Sequence, residues 1–224
     1  MRVDIWTHVL SPTYREQIER SGPAGLGAFL LGNLTLHDLD RRFEVMDRFG
    51  DYRQVLTPVP GPHAYFHHDG GPALGDLVRR NNDDMADLVR LHPDRFVGFA
   101  AATDLADPDA ATQEAIRAVR ELGALGVQLE EDANNVPLHE SRYDPLFAAM
   151  EELDAGVWLH PLRGPATSGL PLESAPFVLW QAFTWVFDTT ITISRLIFAG
   201  IYDRHPRLKL IAHHGGALIP HFSG

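Results

Sequence analysis

Three histidines follow short apolar segments of the chain at similar positions. His8 comes shortly after the first segment, His160 directly follows the fifth, and His214 lies two residues after the sixth. Neutral imidazole is a common ligand of Zn²⁺ and related ions. Three ligands on three strands would leave a coordination position open for water or substrate, as metal catalysis requires. The pattern predicts a catalytic metal site, although each histidine taken alone fits a hydrogen-bonded core residue equally well.

Six β-like segments are available to position these histidines. Each is nearly continuous in apolar residues, as expected for strands that are covered on both faces. Helical patterns separate the segments, and strands alternating with helices indicate a parallel sheet. The six segments are Val3–Ile5, Gln54–Val59, Phe96–Ala101, Gly126–Leu129, Gly156–Leu159 and Leu208–Ala212.

Two helix starts are marked by an aspartate followed by proline. We expect Asp107 to cap a helix through Ala110–Leu122, with Pro108 in its first turn. Asp144 and the proline after it predict the same arrangement for a helix over Leu146–Leu153.

The order of elements predicts a TIM-type (β/α)8 barrel as a single domain over residues 1–224. The carboxyl ends of parallel barrel strands meet at one site, where the three histidines would converge. A closed barrel needs eight strands and roughly 250 residues, whereas 224 residues hold six segments here. We therefore expect the barrel to be truncated after its sixth strand.

A long insertion follows the fifth segment. Pro161–Pro176 is rich in proline, glycine and serine and is predicted to be a loop, and Phe177–Tyr202 is predicted to be a long helix with many aromatic residues. A helix this rich in large aromatic side chains exposes more apolar surface than a monomer usually tolerates. We therefore expect a homodimer formed through this helix.

The composition excludes several classes of partner. The 19 basic and 30 acidic residues give a net charge of −11, without the basic stripe that nucleic-acid binding requires. The chain has no cysteine for disulfides or thiolate metal sites, and no apolar run long enough to cross a bilayer. Because Met1–Ile5 enters a strand directly, we expect no signal peptide and a cytoplasmic location.

Several motifs give the sequence a more specific resemblance. It resembles the decarboxylase branch of the amidohydrolase superfamily, which includes γ-resorcylate decarboxylase and 2-amino-3-carboxymuconate-6-semialdehyde decarboxylase. Asp4-Ile5-Trp6-Thr7-His8 stands where that family has Asp-x-His-x-His. The other matching motifs are Asn81-Asn82-Asp83-Asp84, His92-Pro93-Asp94-Arg95-Phe96, Leu159-His160-Pro161, Asp203-Arg204-His205-Pro206 and His214-Gly215-Gly216.

The resemblance implies roles for individual residues. His8 and His160 correspond to metal ligands, and His214 corresponds to the catalytic histidine, a general acid/base beside the metal. His213 falls on the strand, where we expect a structural residue. The Asn81–Asp84 motif is expected on a helix surface.

Two further groups of residues are candidates from their positions alone. Arg163 follows the fifth segment and would grip a substrate carboxylate over the site, although it fits a surface arginine of a loop equally well. His63, His67, His68 and Asp69 form a second cluster after the second segment. We expect solvated loop histidines there, with a lining of the active-site mouth as the alternative.

The sequence departs from the family pattern in two places. Trp6 replaces the first histidine of the motif over Asp4–His8, and an indole N–H donor cannot bind a metal. The family's carboxylate ligand corresponds to a position beyond Gly224. We therefore expect a divalent metal, Zn²⁺ in the first place and Mn²⁺ as the alternative, at reduced occupancy.

The leading functional hypothesis is a metal-dependent lyase that removes CO₂ from an aromatic or muconate-type carboxylic acid. A bound cation and a proton donor would stabilise the charge left on carbon. Two alternatives remain open: a metal-hydroxide hydrolase of lactones or amides on the same scaffold, and a truncated barrel without catalytic activity.

Overall fold

The computed structural model describes residues 1–22, 24–59, 74–131, 136–162 and 179–222. Its centre is a sheet of six strands, all parallel, which follow one another in chain order from β1 to β6. The strands are β1 Arg2–Val9, β2 Tyr52–Pro58, β3 Phe96–Ala101, β4 Gly126–Glu130, β5 Gly156–His160 and β6 Lys209–Ala212. Every strand predicted from the apolar segments is confirmed, with ends that differ by a few residues.

The sheet curls, because strands far apart in its order touch one another. The indole Nε1 of Trp158 on β5 donates to the carbonyl of Ile5 on β1 at 2.9 Å. Trp158 also packs with Val55 and Ala100, and Trp6 lies against the same cluster. These contacts fill the concave side of a half-barrel, which confirms the predicted parallel (β/α) barrel fold, with six strands in the described part of the chain.

Helices cover the convex side of the half-barrel. They are α1 Pro12–Ser21, α2 Ala24–Gly32, α3 Leu39–Met46, α4 Leu74–Leu91, α5 Pro108–Leu122, α6 Asp144–Glu152, α7 Trp185–Phe198, α8 Ile201–Arg204 and α9 Ile219–Phe222. Residues of α3 to α8 pack with the strands in the main core, around Phe99, Val127 and Leu146. Helices α1 and α2 pack in a second cluster around Tyr14 and Leu30. None of the described helices is both long and apolar enough to span a membrane.

The predicted helix starts are confirmed at one place and corrected at another. Asp107 caps α5 by accepting a hydrogen bond from the Ala110 amide at 3.0 Å. Asp144 lies inside α6 and makes no such cap. A 3₁₀ turn over Ser141–Tyr143 leads directly into the helix, so Asp144 is already helical and cannot cap it. Its carboxylate instead accepts a hydrogen bond from Arg204 at 3.0 Å.

The expected surface position of the Asn81–Asp84 motif is wrong for its first half. Asn81 and Asn82 are completely buried in α4. The Asn82 amide bonds both backbone groups of Ala102, at 2.8 and 3.1 Å, and so joins α4 to the end of β3. A helix face that meets a strand end must satisfy the strand's free backbone groups, and Asn82 does so.

The predicted long helix over 177–202 is interrupted, and its first two residues lie outside the described residues. Trp180–Thr184 forms a π-helical turn that continues into α7. The helix then ends because Gly200 adopts a left-handed conformation with φ of 75°, before the short helix α8.

Candidate metal centre

His8 lies near the carboxyl end of β1 and is held by the neighbouring strand. Its Nδ1 lies 3.0 Å from the Pro58 carbonyl and 2.9 Å from the Thr57 hydroxyl. A carbonyl oxygen only accepts, so Nδ1 carries the proton and Nε2 keeps its lone pair. The buried guanidinium of Arg42 donates to the His8 carbonyl at 2.9 Å, which fixes the backbone of β1 from outside the sheet.

His160 is the last residue of β5 and is completely buried. Its Nδ1 bonds the carbonyl of Pro161, so this ring has the same tautomer as His8. Its Nε2 is buried and has no hydrogen-bond partner among the described residues. A buried acceptor that lacks a partner costs free energy, on the order of 1–3 kcal/mol, and indicates that a ligand completes the site.

His213, directly after β6, joins these two histidines. One ring nitrogen from each of His8, His160 and His213 lies within 4.8 Å of one from each of the others. The ring centroids of His160 and His213 are 4.8 Å apart. The sequence indicated a structural residue at 213, but the curl of the sheet places this ring within the cluster.

Burial keeps this cluster uncharged. Burial lowers the pKa of His8 to about 4 and that of His213 to about 3. The pKa of His160 is held well below its usual value, first by burial and then by the charges of His8 and His213. All three rings are therefore neutral at pH 7, which is the form that binds a metal.

His214 is exposed at the edge of the cluster and is outside the group of three converging nitrogens. Its two ring nitrogens lie 2.8 and 3.1 Å from Nδ1 of His213, and partial burial lowers its pKa. His214 and Ala217 both have positive φ, 51° and 56°, on either side of two glycines. Non-glycine residues in this conformation cost roughly 1–3 kcal/mol each and are concentrated at functional sites.

An aromatic residue of the insertion also reaches the cluster. The Trp185 ring in α7 lies 5.5 Å from His160 and 5.8 Å from His214, measured between centroids. From the sequence, the aromatic residues of this segment were expected in a dimer contact, and the position of Trp185 beside the histidines was not predicted. Arg163, the predicted carboxylate-binding residue, and the cluster at His63, His67 and His68 lie outside the described residues.

The donors present fit a divalent metal. Two nitrogens on one Zn²⁺ lie at most about 4.2 Å apart, twice a bond length of about 2.1 Å. Small side-chain rotations would therefore bring the three nitrogens, now within 4.8 Å of one another, onto one ion. The neutral rings and the partnerless Nε2 of His160 supply the lone pairs that such an ion needs.

Residues 3–222 match the sequence profile of one protein family, described as Amidohydrolase. The chain belongs to this amidohydrolase family. Among curated proteins, it is 37% identical over 191 residues to γ-resorcylate decarboxylase of Rhodococcus jostii, covering 81% of this chain and 57% of that protein. It is 27% identical over 237 residues to 2-amino-3-carboxymuconate-6-semialdehyde decarboxylase of Dictyostelium discoideum, covering 98% and 64% of the respective chains.

A solved structure shares this amidohydrolase fold. The 5-carboxyvanillate decarboxylase of Novosphingobium aromaticivorans, complexed with manganese and 4-hydroxy-3-methoxy-5-nitrobenzoic acid, superposes with a TM-score of 0.83 at 26% identity. The match covers all of this chain and 67% of that one. The chain thus spans a little over half of the Rhodococcus relative and about two thirds of this structure.

Proposed function

We propose that this chain carries the metal site of a non-oxidative decarboxylase that acts on an aromatic carboxylic acid. The observation that carries the proposal is the convergence of neutral histidine nitrogens at the carboxyl ends of the strands. The relatives support it, since those named above are decarboxylases of γ-resorcylate, carboxymuconate semialdehyde and carboxyvanillate.

His8 and His160 would hold a divalent cation through Nε2, with Nδ1 of each ring tied to a backbone carbonyl. When bound, the cation supplies positive charge that attracts a carboxylate and stabilises the charge left as CO₂ departs. Imidazole ligands favour Zn²⁺ over Mn²⁺, whereas the carboxyvanillate enzyme was solved with manganese. Metal analysis of the protein purified without added metal would decide between the two ions.

His214 would deliver the proton that replaces CO₂ on the substrate carbon. Its exposed ring can take a proton from solvent, and its lowered pKa makes the protonated ring a stronger donor to the carbon that loses CO₂. Arg163 would hold the carboxylate equally before and in the transition state, so its loss should act mainly on KM.

The test is a kinetic comparison of variants on hydroxybenzoates, muconate semialdehydes and lactones. We expect His214→Ala to lower kcat by about 10²- to 10⁴-fold, and Arg163→Ala to raise KM with little change in kcat. If His214→Ala releases CO₂ as fast as the wild type, the role assigned to His214 is wrong. Lactone opening without CO₂ release would make the protein a hydrolase.

Homodimerisation belongs to the same proposal. Phe183, Phe187 and Phe198 are 66%, 54% and 89% exposed on the helical segment that was expected to form the contact. Burying three phenylalanines against a second copy would remove this apolar surface from water. A solution molar mass equal to one chain would contradict a dimer. The cytoplasmic location stays a prediction from the sequence.

A further inference from the structure

Trp158 lies inside the half-barrel, two residues before His160 on β5. Side chains two residues apart on a strand point to the same face of the sheet, so the indole and the His160 ring both face the concave side. Trp158 is 4% exposed. Its Nε1 donates to the carbonyl of Ile5 on β1 at 2.9 Å, three residues before His8. One hydrogen bond thus joins the two strands that carry His8 and His160.

The two joined strands are not neighbours in the sheet. Three strands separate β1 from β5. In a flat sheet, four strand spacings of about 4.8 Å each would place them about 19 Å apart. The bond from Trp158 to Ile5 can therefore form only in the curled sheet, and it opposes any flattening that would move His8 away from His160. The ring centroids of these two histidines are 5.0 Å apart.

The acceptor of this bond lies in an irregular part of β1. The register of β1 with β2 shifts between Asp4 and Thr7, and Ile5 lies inside this interval. Such a shift interrupts the backbone ladder locally, so β2 alone holds this part of β1 less firmly than a regular ladder would. A hydrogen bond from the far side of the half-barrel fixes the chain just before it reaches His8.

A glycine makes room for the indole. Gly156 lies two residues before Trp158 and on the same face of β5. A Cβ at position 156 would lie 2.6 Å from Cζ3 and 3.1 Å from Cη2 of Trp158, and both distances are shorter than an ordinary van der Waals contact. Because the ring packs with Val55 and Ala100 on other strands, it has little space to move aside. Glycine at this position therefore allows the indole to reach β1.

We propose that Trp158 is a positioning residue of the metal centre. Its bond across the half-barrel holds His8 and His160 at the separation that an ion needs, and Gly156 provides the space for its ring. The proposal rests on the proposed function only in assuming that these two histidines bind a divalent metal. Groups that hold metal ligands in place typically contribute roughly 10- to 100-fold to metal affinity.

The experiment measures metal binding and needs no substrate. The full chain is stripped with a chelator, and its affinities for Zn²⁺ and Mn²⁺ are measured by calorimetry, while urea denaturation reports folding and stability. The variants are Trp158→Phe, which keeps a ring but removes the N–H, Gly156→Ala, and the two combined. The control Leu146→Ala makes a cavity in the main core, in α6 and away from the packing around Trp158. EPR of the Cu²⁺-loaded protein reports how many nitrogens bind the ion.

We expect Trp158→Phe and Gly156→Ala each to lower the affinity for both ions by about 10-fold, the lower end for groups that orient a ligand. The number of bound nitrogens should stay the same, because no ligand is removed. The combined variant should lose no more than Trp158→Phe, because phenylalanine lacks the outer ring atoms that the added methyl group would meet. Leu146→Ala should unfold at a lower urea concentration and keep the wild-type affinity.

Wild-type affinity in Trp158→Phe would overturn the proposal while leaving a metal centre at His8 and His160. A loss in Leu146→Ala equal to that in Trp158→Phe would also overturn it, since affinity would then follow general stability. Wild-type affinity in Gly156→Ala, or a loss in the combined variant equal to the product of the single losses, would overturn the role of Gly156. If Trp158→Phe does not fold, Gly156→Ala decides the proposal.

Failure of the proposed function gives a different result. A wild-type chain that binds neither ion would overturn both this proposal and the proposed function. Tight binding that depends on Trp158, without CO₂ release from any acid, would overturn the proposed function and support the positioning role.

Discussion

Two groups of polar side chains, one between helices outside the sheet and one at the carboxyl ends of its strands, differ in how their hydrogen bonds are completed. The first is the outer network between α4 and α5, made of Asn82, Asp83, Glu114 and Arg117. Glu114 accepts from Asn82 at 2.9 Å and from Arg117 at 2.8 Å, and Arg117 also bonds Asp83 at 2.8 Å. These bonds raise the pKa of Arg117, above all the bond to Glu114, so the ion pair persists at every physiological pH.

The second group is the histidine cluster, formed by His8, His160 and His213. These rings repel each other when protonated, and burial keeps them neutral. Nδ1 of His8 and Nδ1 of His160 each donate to a backbone carbonyl. Nε2 of His160 has no hydrogen-bond partner among the described residues. The outer network thus completes its bonds within the chain, whereas in the cluster this Nε2 has no partner among those residues and is available to a ligand.

The largest expected effect comes from breaking the outer network. Glu114→Ala would leave the Arg117 guanidinium half-paired and the Asn82 amide short of an acceptor. Removing one partner of a buried ion pair costs about 3–5 kcal/mol, and because Asp83 still pairs with Arg117 we expect a loss at the lower end, about 3 kcal/mol, in the unfolding free energy. Urea denaturation measures it, with the exposed Glu121→Ala on the same helix as control. A loss below 1 kcal/mol would show that the hydrogen bonds of the outer network contribute little to stability, contrary to the contrast drawn with the histidine cluster.

The next effect is stabilisation by metal. At 100 times its dissociation constant, a divalent ion should add about 2.7 kcal/mol to the unfolding free energy of the wild type. His160→Ala should abolish this increment because it removes the most buried ligand. Thermal denaturation with and without Zn²⁺ measures it. Glu114→Ala, destabilised but with an intact cluster, should keep the increment, and its loss there would show that the two groups are coupled.

A smaller effect is expected from pH in the metal-free protein. The pKa of His8, about 4, and that of His213, about 3, lie below the value of roughly 6.5 in the unfolded chain. As pH falls from 6.5 to 4, the histidines of the unfolded chain become protonated while those of the folded cluster stay neutral. The free energy of unfolding therefore decreases over this range. Melting temperatures between pH 7.5 and 4.5 measure the slope. His8→Gln should flatten the slope, and an unchanged slope would contradict the assignment.

The smallest effect is expected from removing one of the two hydrogen-bond partners of the His8 ring. Thr57→Val removes the hydroxyl at 2.9 Å from His8 Nδ1 but leaves the Pro58 carbonyl in place. Because one of the two contacts remains, we expect metal affinity to fall by about 10-fold, the lower end for groups that orient a ligand. Calorimetric titration with Zn²⁺ measures it. A loss as large as that of His160→Ala would mean that Thr57 has a more direct role.

The sequence alone determined the order of elements and two of the converging residues. Continuous apolar segments indicate buried parallel strands because both faces of such strands are covered, and all six were found. The cap at Asp107 was predictable because it depends on residues three positions apart. His8 and His160 could be found because strand ends in a parallel barrel meet at one face.

The tertiary structure alone decided which further side chains join them. His213 enters the cluster, Trp185 reaches it from α7, and Arg42 holds the end of β1 from outside the sheet. None of these positions follows from local pattern, because each depends on how elements distant in the chain are rotated against one another. Trp158 and Ile5, 153 residues apart, meet only because the sheet curls, and the same curl brings His213 to the ring of Trp6.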